Sequence, residues 1–429
     1  MSSQKILPDV YSVGVVDWNV RTFHGHTYST NRGTTYNAYL ILDEKTALVD
    51  TVLGSFSAEL IENIKQVIPP EKIDYIIANH VETDHSGSLP HLLKLCPKAK
   101  VFGTQKCKEG LYKHYYANWD FQVVKTGDKL QLGKRTLSFI EAPMIHWPDS
   151  MFTWCPELGL LMPNDAFGQH YATSERFDDE TDACALMDEA AKYYGNILMP
   201  LGSVILKKIE ELQKMNLAIK MIAPSHGIIW RKDPAKIINA YLGWAKNQTE
   251  KKAVVVYESM WGATEKMARK MTQGITDSGL KVKLFDVATS DRTEIIKEML
   301  EAGGFLFGSS THDNDMLPAM AGFLEFVKGL KPKNRIAGVF GSFGWAGGAI
   351  KEIEGVLKET GIQLAGESLA VQYVPDESQM KRCYEYGKEF AAKISEAITY
   401  GAKRRGSLKG ERNGKYIRGK RDNRDRHSD

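Results

Sequence analysis

The first half of the chain alternates short apolar runs with polar turns. The runs are five to seven residues long and are bounded by Gly, Asp or Pro, which is typical of β-strands. They are YNAYLIL, TALVD, DYIIANH, KVFGT, LSFIEAP and GLLMPND. A longer segment, SAELIENIKQVI, has apolar positions at helical spacing. This mixture predicts a mixed β-sheet with helices packed outside it.

The second half changes to a regular alternation of strands and helices. Its predicted strands are KAVVVYES, KVKLFDV, GGFLFGSS, RIAGVFGSF and QLAGESLAV. Helical stretches such as ATEKMARKMTQGITDSG and AIKEIEGVLKETG separate them. Five strands that alternate with helices over about 145 residues predict a doubly wound, flavodoxin-like sheet.

The polar segment KNQTEKK, residues 246–252, separates the two patterns and is the predicted boundary. We therefore expect an α/β protein with one domain over residues 1–248, a second over 249–399 and a tail over 400–429. The tail has eleven Lys and Arg against four Asp and Glu, a charge of +7, whereas the whole chain carries +3 and the remainder therefore −4. Without apolar periodicity the tail is predicted to be disordered and solvated, with contact to nucleic acid or anionic lipid as the alternative.

The composition is that of a globular protein, with 43% hydrophobic and 25% charged residues. No apolar run approaches the roughly 20 residues of a membrane-spanning helix. The N-terminus lacks the pattern of a signal peptide, so we expect a cytoplasmic protein without a nucleic-acid or membrane partner. The five cysteines include no CxxC pair, which argues against a disulfide framework and a cysteine-ligated metal.

Ionisable residues cluster after the predicted strand IDYIIANH. In the segment HVETDHSGSLP, His80, Glu82 and Asp84 stand at alternate positions, and His85 lies beside them. If strand geometry continues through this segment, the three alternate side chains share one face. Burial of such groups without a cation is costly, so the cluster favours a metal site.

Three further candidates each follow an apolar run at the start of a loop. They are His146 in EAPMIHWPDS, Asp165 in LMPNDAFG and His226 in APSHG. A single His in a loop is usually solvated or hydrogen-bonded, and the match to HxExDH could be accidental if it stood alone. Three partners in similar settings favour the metal site over that interpretation.

The six residues resemble the ligand motif of the metallo-β-lactamase superfamily, HxHxDH followed at long intervals by His, Asp and His. Glu82 replaces the second His of that motif. Three carboxylates and three imidazoles form a harder, more anionic ligand set than the histidine-rich sites that suit zinc, so redox iron is favoured. The alternative is a dinuclear zinc hydrolase fused to a flavodoxin electron carrier.

Three loops of the second half favour a flavin site. The loop after the first predicted strand lacks GxxxxGK[ST] and leads into a helix, which suits the monophosphate of FMN. The loops GSSTHDNDMLP and GSFGWAGGA follow the third and fourth strands, at the edge where doubly wound sheets bind ligands. Core packing is the alternative for Trp345, but its glycine neighbours favour contact with an isoalloxazine ring. The predicted FMN contacts are Ser259, Met260, Trp261, Gly262, Ala263, Thr264, Ser309, Ser310, Thr311, His312, Asp313, Asn314, Ser342, Phe343, Gly344, Trp345, Ala346 and Gly347.

Both constellations, in this order, resemble the flavodiiron proteins, also called A-type flavoproteins. Beyond the metal motif, the segments NRGTTYNAYLILDEKTALVDT, EAPMIHWPDSMFT, LMPNDAFGQHYATSERFDD and IAPSHGIIWRKDP match that family closely, and the resemblance covers roughly residues 5–398. It implies an N-terminal metallo-β-lactamase-like αββα domain, a C-terminal flavodoxin-like domain with FMN, and a non-haem diiron centre.

The resemblance also implies the roles of the ligands. The expected metal and catalytic residues are His80, Glu82 and His146 on one iron, Asp84 and His226 on the other, and Asp165 bridging both. His85 stays open, because members of the superfamily differ in using that histidine as a ligand. His24, His26 and Tyr193 are explained as well by ordinary packing as by lining a substrate pocket.

The activity implied by the resemblance is the reduction of dioxygen to water, of nitric oxide to nitrous oxide, or of both. Reduced FMN stores two electrons and two ferrous ions one each, which matches the four electrons that dioxygen requires. The resemblance implies a head-to-tail homodimer in which FMN faces the partner's iron, with a tetramer left open. Without a CxxC pair, electrons are expected from a separate donor such as rubredoxin or a deazaflavin coenzyme. A pure electron carrier with a metal-free N-terminal scaffold is the remaining alternative.

Overall fold

Two units, Met1–Gln248 and Thr249–Asp429, divide the chain in the computed structural model. The structure describes the backbone of residues 3–418 and the side chains of residues 3–399. The N-terminal unit has two hydrophobic cores and the C-terminal unit has a core of its own, and each unit is described by itself.

Within residues 3–248, the N-terminal unit is built from short strands and seven α-helices. The strands are β1 (Gln4–Leu7), β2 (Val10–Ser12), β3 (Val15–Asp17), β4 (Thr22–Phe23), β5 (Tyr28–Ser29), β6 (Thr34–Tyr36), β7 (Tyr39–Ile41), β8 (Ala47–Val49), β9 (Tyr75–Ile77), β10 (Lys100–Gly103), β11 (Phe121–Val123), β12 (Lys129–Gln131), β13 (Thr136–Glu141), β14 (Met151–Cys155), β15 (Leu160–Met162) and β16 (Met221–Ile222). The helices are α1 (Ser57–Lys65), α2 (Thr83–Ser86), α3 (Leu89–Leu95), α4 (Gln105–Tyr115), α5 (Ala183–Tyr193), α6 (Gly202–Lys214) and α7 (Pro234–Ala245).

The first sheet has the order β1-β2-β7-β8-β9-β10-β11 and separates two cores. Successive residues of a strand point to opposite faces. Leu48 of β8 and Ile76 of β9 therefore pack into the core beneath α1, α3 and α4. Their neighbours Val49 and Ile77 join a different core, which also contains residues of the second sheet. Burial of each such aliphatic side chain stabilises the fold by roughly 1.5–3 kcal/mol.

The second sheet, in the order β12-β13-β14-β15-β16, closes the shared core from the other side. Phe139, Met151, Leu160 and Met221 belong to this core. The two sheets thus face each other across apolar side chains, and helices cover the far face of the first sheet. This is the layering that the αββα prediction expects.

Strand geometry does not continue through HVETDHSGSLP, so that step of the sequence argument was wrong. Strand β9 ends at Ile77, and Thr83–Ser86 form the helical turn α2. The backbone N–H of Asn79 donates to Asp50 Oδ1 at 2.8 Å instead of to a neighbouring strand. The N–H groups of His85 and Ser86 both donate to the carbonyl of Glu82. These bonds turn the chain at the carboxyl end of β9.

The C-terminal unit alternates strands and helices. Its elements are β17 (Glu250–Glu258), α8 (Ala263–Asp277), β18 (Lys281–Asp286), α9 (Arg292–Glu301), β19 (Ala302–His312), β20 (Asp315–Met316), α10 (Pro318–Leu330), β21 (Ile336–Phe343), α11 (Ala349–Thr360), β22 (Gln363–Leu364), β23 (Leu369–Gln372) and α12 (Glu377–Arg418). Strands β18, β17, β19 and β21 lie side by side in that order, and β22 and β23 both pair with β21. All these pairs are parallel. This is the predicted flavodoxin-like strand order.

The fifth predicted strand, QLAGESLAV, is interrupted. Ala337 and Phe340 of β21 pair with Leu364 and Leu369. Between these pairs, two residues of β21 lie opposite four residues of the other strand. The two extra residues form an irregular bulge between β22 and β23. The strand-like pattern gave no sign of this interruption.

Helices α8 and α12 pack on one face of the parallel sheet. Met271 of α8 and Phe390 of α12 are buried in the same core. Helix α12 continues to Arg418, so residues 400–418 are helical where the sequence predicted a disordered tail, because an established helix extends at little cost per residue. Residues 419–429 lie outside the described residues. Among the helices described, none is both long enough and apolar enough to cross a membrane.

Candidate metal centre and cofactor pocket

Four loops of the N-terminal unit bring all six predicted metal ligands together. The parallel pairs β8–β9 and β15–β16 each place two carboxyl ends on one edge of a sheet. The ligands lie after β9 (His80 and Glu82), in α2 (Asp84), between β13 and β14 (His146), after β15 (Asp165) and after β16 (His226). Strand ends at one edge thus gather residues that are far apart along the chain.

The first group of side chains consists of His80, Glu82, His146 and Asp165. One ligand atom from each lies within 4.8 Å of the others. Glu82 Oε2 is 3.3 Å from His80 Nε2 and 3.4 Å from His146 Nε2. Asp165 Oδ2 is 3.5 Å from His146 Nε2 and 3.7 Å from His80 Nε2. Two imidazoles and two carboxylates therefore converge on one point.

The second group consists of Asp84, His85 and His226, again within 4.8 Å of one another. Asp84 Oδ2 is 3.1 Å from His226 Nε2 and 3.2 Å from His85 Nε2. His85, which the sequence left open, thus has its ring in the group. All three side chains are buried.

Asp165 lies between the two groups. Its Oδ2 faces the first group, whereas its Oδ1 is 3.1 Å from His85 Nε2 and 3.5 Å from His226 Nε2. A carboxylate with one oxygen toward each group has the position of a bridging ligand.

Several buried atoms of the cluster are close to one another without forming hydrogen bonds. Asp84 Oδ1, His85 Nε2 and Asp165 Oδ2 have no hydrogen-bond partner among the described residues. Buried polar groups are normally paired, and an unpaired one costs free energy. The three side chains belong to the two groups of closely spaced ligand atoms, and such unpaired, closely spaced atoms are typical of ligands around cations. Nitrogen and oxygen donors with three carboxylates fit a pair of iron ions.

The directions of the pKa shifts in the cluster fit a site that holds positive charge. Burial lowers the pKa of His80 and of His146, but hydrogen bonds with neighbouring carboxylates outweigh it and raise each to about 10. Burial raises the pKa of Asp165, but the nearby imidazoles of His85 and His146 hold it well below its usual range. Metal ions compete with these protons for the same atoms, so two cations are a natural complement of the cluster.

Buried partners outside the ligand set hold the ligands in place. His80 Nδ1 lies 2.9 Å from Asp149 Oδ2, and His226 Nδ1 lies 2.6 Å from the Thr35 carbonyl. Asp50 Oδ2 accepts from the side-chain amides of Asn79 at 3.0 Å and Asn164 at 3.2 Å, the residues before His80 and Asp165. Sequence reasoning missed these partners, although Asp149 in HWPDS and Asp50 at the end of TALVD follow strands in the same way as the ligands.

Two of the three open pocket candidates touch the cluster. The Tyr193 hydroxyl donates to Asp165 Oδ1 at 3.2 Å. His24 Nε2 is 3.4 Å from Glu82 Oε1, and its side chain is 30% exposed. His26 is exposed in the same turn between β4 and β5. The sequence analysis overlooked His170, which is buried with its ring centre 4.9 Å from that of His226.

The C-terminal unit has a cavity of about 590 Å³ at the carboxyl edge of its sheet. It is lined by Met260, Trp261, Ala263, Ser310, Thr311, His312, Asp313, Asn314, Ser342, Phe343, Gly344, Trp345, Ala346, Tyr373 and Val374. All three predicted loops contribute. Tyr373 and Val374, which follow β23, were missed because the loop after the fifth strand was not considered, although it belongs to the same edge.

Five of the predicted FMN contacts do not line this cavity: Ser259, Gly262, Thr264, Ser309 and Gly347. Thr264 is buried, with its hydroxyl 3.0 Å from Ser310 Oγ and 2.8 Å from Ser342 Oγ. Ser309 Oγ accepts from Leu317 N at 2.9 Å. These hydroxyls join the loops to one another behind the cavity wall, whereas Gly347 lines a smaller neighbouring cavity.

Exposed aromatic rings mark the mouth of the cavity. Trp261 is 87% exposed and Trp345 is 90% exposed, so the core-packing alternative for Trp345 is wrong. Gly348 allows the loops GSSTHDNDMLP and GSFGWAGGA to come into contact, since a Cβ at this position would lie 1.7 Å from the Asn314 carbonyl oxygen. An apolar, aromatic-walled cavity at this edge fits a planar flavin ring.

Comparisons with known proteins agree with the fold of both units. The model of the ODP family beta lactamase matches residues 34–227, and the Flavodoxin model matches residues 255–387. The nitric oxide reductase of Moorella thermoacetica is 54% identical over 91% of this chain and 98% of its own length. The rubredoxin oxygen:oxidoreductase of Desulfovibrio gigas has a TM-score of 0.90 at 39% identity, covering 92% of this chain and 100% of that one. The flavodiiron protein of Giardia intestinalis has a TM-score of 0.90 at 35% identity, covering 93% and 98%.

Proposed function

The chain belongs to the flavodiiron protein family, and we propose that it reduces nitric oxide to nitrous oxide, dioxygen to water, or both. It is an oxidoreductase with FMN and a non-haem diiron centre as cofactors. The observation that carries the proposal is the double cluster joined by Asp165, in a chain 54% identical to a nitric oxide reductase and 39% identical to a rubredoxin oxygen:oxidoreductase. The hydrolase alternative is disfavoured, because these relatives are reductases.

The ligand assignment is part of this proposal. His80, Glu82 and His146 would hold one iron, and Asp84 and His226 would hold the other, with His85 beside it and Asp165 between the two. When bound, the iron pair and FMN supply the electrons and the Lewis acidity that reduction of a diatomic gas requires.

The chain's own residues provide a sheltered site that opens on one side. The side chains of Glu82 and His146 are 17% and 10% exposed, whereas those of His226 and Asp165 are 1% and 2% exposed. A small gas molecule would therefore arrive on the Glu82 side, where His24 stands. On the buried side the Tyr193 hydroxyl holds Asp165 Oδ1, and aromatic rings around His226 exclude bulk water.

We further propose the head-to-tail homodimer, a separate electron donor such as rubredoxin or a deazaflavin coenzyme, and a cytoplasmic location. The two cofactor sites belong to different units, and the family resemblance supports transfer between subunits. A mixing experiment tests the dimer: an Asp165→Asn subunit with intact FMN is combined with a Gly348→Ala subunit from which the weakly held FMN has been removed. Restored turnover supports transfer between subunits. Failure of verified heterodimers to turn over contradicts it.

The substrate is tested on anaerobically reduced protein that receives separate pulses of nitric oxide and dioxygen. Rapid reoxidation with nitrous oxide or water as product supports the proposal. Metal content is measured on the same sample. Two irons per chain are expected, whereas two zincs after growth with iron, together with no reaction toward either gas, would overturn the proposed function.

A further inference from the structure

The buried histidines of the cluster differ in the partner of Nδ1, the ring nitrogen that does not face the other ligands. His80 Nδ1 faces the Asp149 carboxylate at 2.9 Å, whereas His226 Nδ1 faces the peptide carbonyl of Thr35 at 2.6 Å. His85 Nδ1 has no hydrogen-bond partner among the described residues. Among the described residues, only the first group therefore contains a histidine whose Nδ1 is shown to be paired with an anionic side chain.

Asp149 is itself held firmly. Its side chain is buried, and the Oδ2 atom that faces His80 also accepts from Val81 N at 2.8 Å. Its carbonyl accepts from the Thr104 hydroxyl at 3.0 Å, and Thr104 caps helix α4. The carboxylate therefore has one orientation, which faces the imidazole.

The position of Asp149 joins two ligands of the same group. It lies three residues after His146, and it binds the side chain of His80 from another loop. The Trp147 ring between them packs edge-on against the His80 ring at 5.1 Å. One residue thus orients His80 and connects the His80 loop to the His146 loop.

A carboxylate affects an imidazole differently from a peptide carbonyl. Donation from Nδ1 to Asp149 directs the Nε2 lone pair of His80 toward Glu82 and Asp165 and makes the ring a more basic ligand. A more basic ligand binds a cation more tightly and favours its higher oxidation state. The neutral Thr35 carbonyl orients His226 without contributing a full negative charge.

We propose that Asp149 is a positioning residue that makes the two metal positions unequal. The metal held by His80, Glu82 and His146 is bound more tightly, and has a lower reduction potential, than the metal held by Asp84 and His226. The inference rests on the proposed function for the identity of the metal as iron.

Two substitutions separate orientation from charge. In Asp149→Asn the amide oxygen can still accept from His80 and Val81, so the geometry is kept while the charge is lost. Asp149→Ala removes both. The matched control is Asp178→Asn, because Asp178 accepts three backbone N–H groups of residues 231–233 in the same unit, and none of those bonds involves a ligand.

The test uses full-length, FMN-loaded protein with ferrous iron and follows iron release to an excess of ferrozine without oxygen. We expect two phases in the wild type, one iron each. Asp149→Asn should accelerate the slow phase by about 10- to 100-fold and leave the fast phase unchanged. It should also raise one of the two iron reduction potentials. Asp178→Asn should match the wild type, and the FMN content should be the same in all variants.

Other outcomes overturn the inference. Release of both irons at one rate from the wild type contradicts unequal positions. An unchanged slow phase and unchanged potentials in Asp149→Asn, even with an unstable Asp149→Ala, would mean that Asp149 only supports the fold. Equal acceleration of both phases would contradict its assignment to one metal. The iron content of the wild type reports on the proposed function separately, because a protein with two irons can fail these comparisons and remain a reductase.

Discussion

The metal cluster and the flavin cavity differ in how their polar atoms are paired in the absence of a bound cofactor. The cluster gathers buried, charged side chains, and Asp165 Oδ2 and His85 Nε2 have no hydrogen-bond partner among the described residues. In the flavin cavity, hydroxyls such as Thr264 and Ser310 already bond to each other, and Trp345 is exposed. The first site therefore depends on its cations for electrostatic balance. In the second, the hydroxyls of Thr264, Ser310 and Ser342 are already paired, and the neutral, buried Ser259 Oγ is left without a hydrogen-bond partner among the described residues. Loss of metal should disturb the N-terminal unit more than loss of FMN disturbs the C-terminal unit.

The largest effect is expected from Asp165→Asn. Asp165 is the side chain shared by both ligand groups, so the substitution removes charge from both metal positions. Consumption of nitric oxide and dioxygen, followed with gas electrodes, should fall by more than about 100-fold while the FMN content stays unchanged. Asp178→Asn is the control and should retain activity. Substantial turnover by Asp165→Asn would argue against a shared metal ligand.

A smaller effect, on FMN and not on iron, is expected from Gly348→Ala. The added methyl group would overlap the Asn314 carbonyl and push apart the two cavity loops GSSTHDNDMLP and GSFGWAGGA. FMN affinity, measured by flavin fluorescence, should fall by about 10-fold or more, equivalent to roughly 1.4 kcal/mol, while the iron content stays unchanged. Gly355→Ala in α11 is the matched control, because a Cβ there meets nothing within 4 Å. Lost iron with retained FMN would contradict the independence of the two sites.

The pH dependence of metal-free protein sharpens the contrast. The pKa values of His80 and His146 are raised to about 10, so their contribution to stability is complete below about pH 6.5 and is lost as the pH rises through about 10. Thermal unfolding of iron-free protein should therefore move to lower temperature over that range, by roughly 2–4 °C for each kcal/mol lost. Iron-loaded protein should lack this trend, because metal replaces the protons. Parallel curves for the two forms would contradict the account.

The smallest effect is expected at the contact between α8 and α12, which contains no residue of either candidate site. A Cβ at Gly387 would lie 2.1 Å from the Met271 carbonyl oxygen. Gly387→Ala should lower the free energy of unfolding of the C-terminal unit by about 1–3 kcal/mol, measured by denaturant titration, without changing the iron content. Gly322→Ala in α10, where a Cβ meets nothing within 4 Å, should not destabilise. Equal stability of the two variants would mean that the helices can separate at no cost.

The sequence predicted the metal site better than its surroundings. All six predicted side chains lie in the two groups, and a local motif, HxExDH, together with similar strand-end settings identified them individually. Their role as metal ligands stays a prediction. Asp149 was missed because its partner His80 is 69 residues away and no local pattern links the two. The end of β9 before α2 was missed because Asn79 N donates to Asp50, a residue that follows another strand, β8. Local patterns therefore indicate which groups belong to a site, and tertiary contacts decide how they are held.

The flavin cavity also shows what sequence patterns predict and what depends on tertiary contacts. Loops at strand ends were predicted because the doubly wound topology alone places them at one edge. Whether a hydroxyl faces the cavity or another loop depends on side-chain packing, which the strand-end rule does not include. The FMN contacts of Thr264 and Ser309 therefore stay predictions. Tyr373 could have been found by applying the strand-end rule to the fifth strand.

The central claim is tested most directly by a crystal structure of iron-loaded protein with anomalous maps at the iron and zinc edges. We predict two iron peaks in the N-terminal unit, one among His80, Glu82 and His146 and one beside Asp84 and His226, with Asp165 between them. A single peak, a zinc signal in place of iron, or ligand side chains that point away from one another would contradict the account.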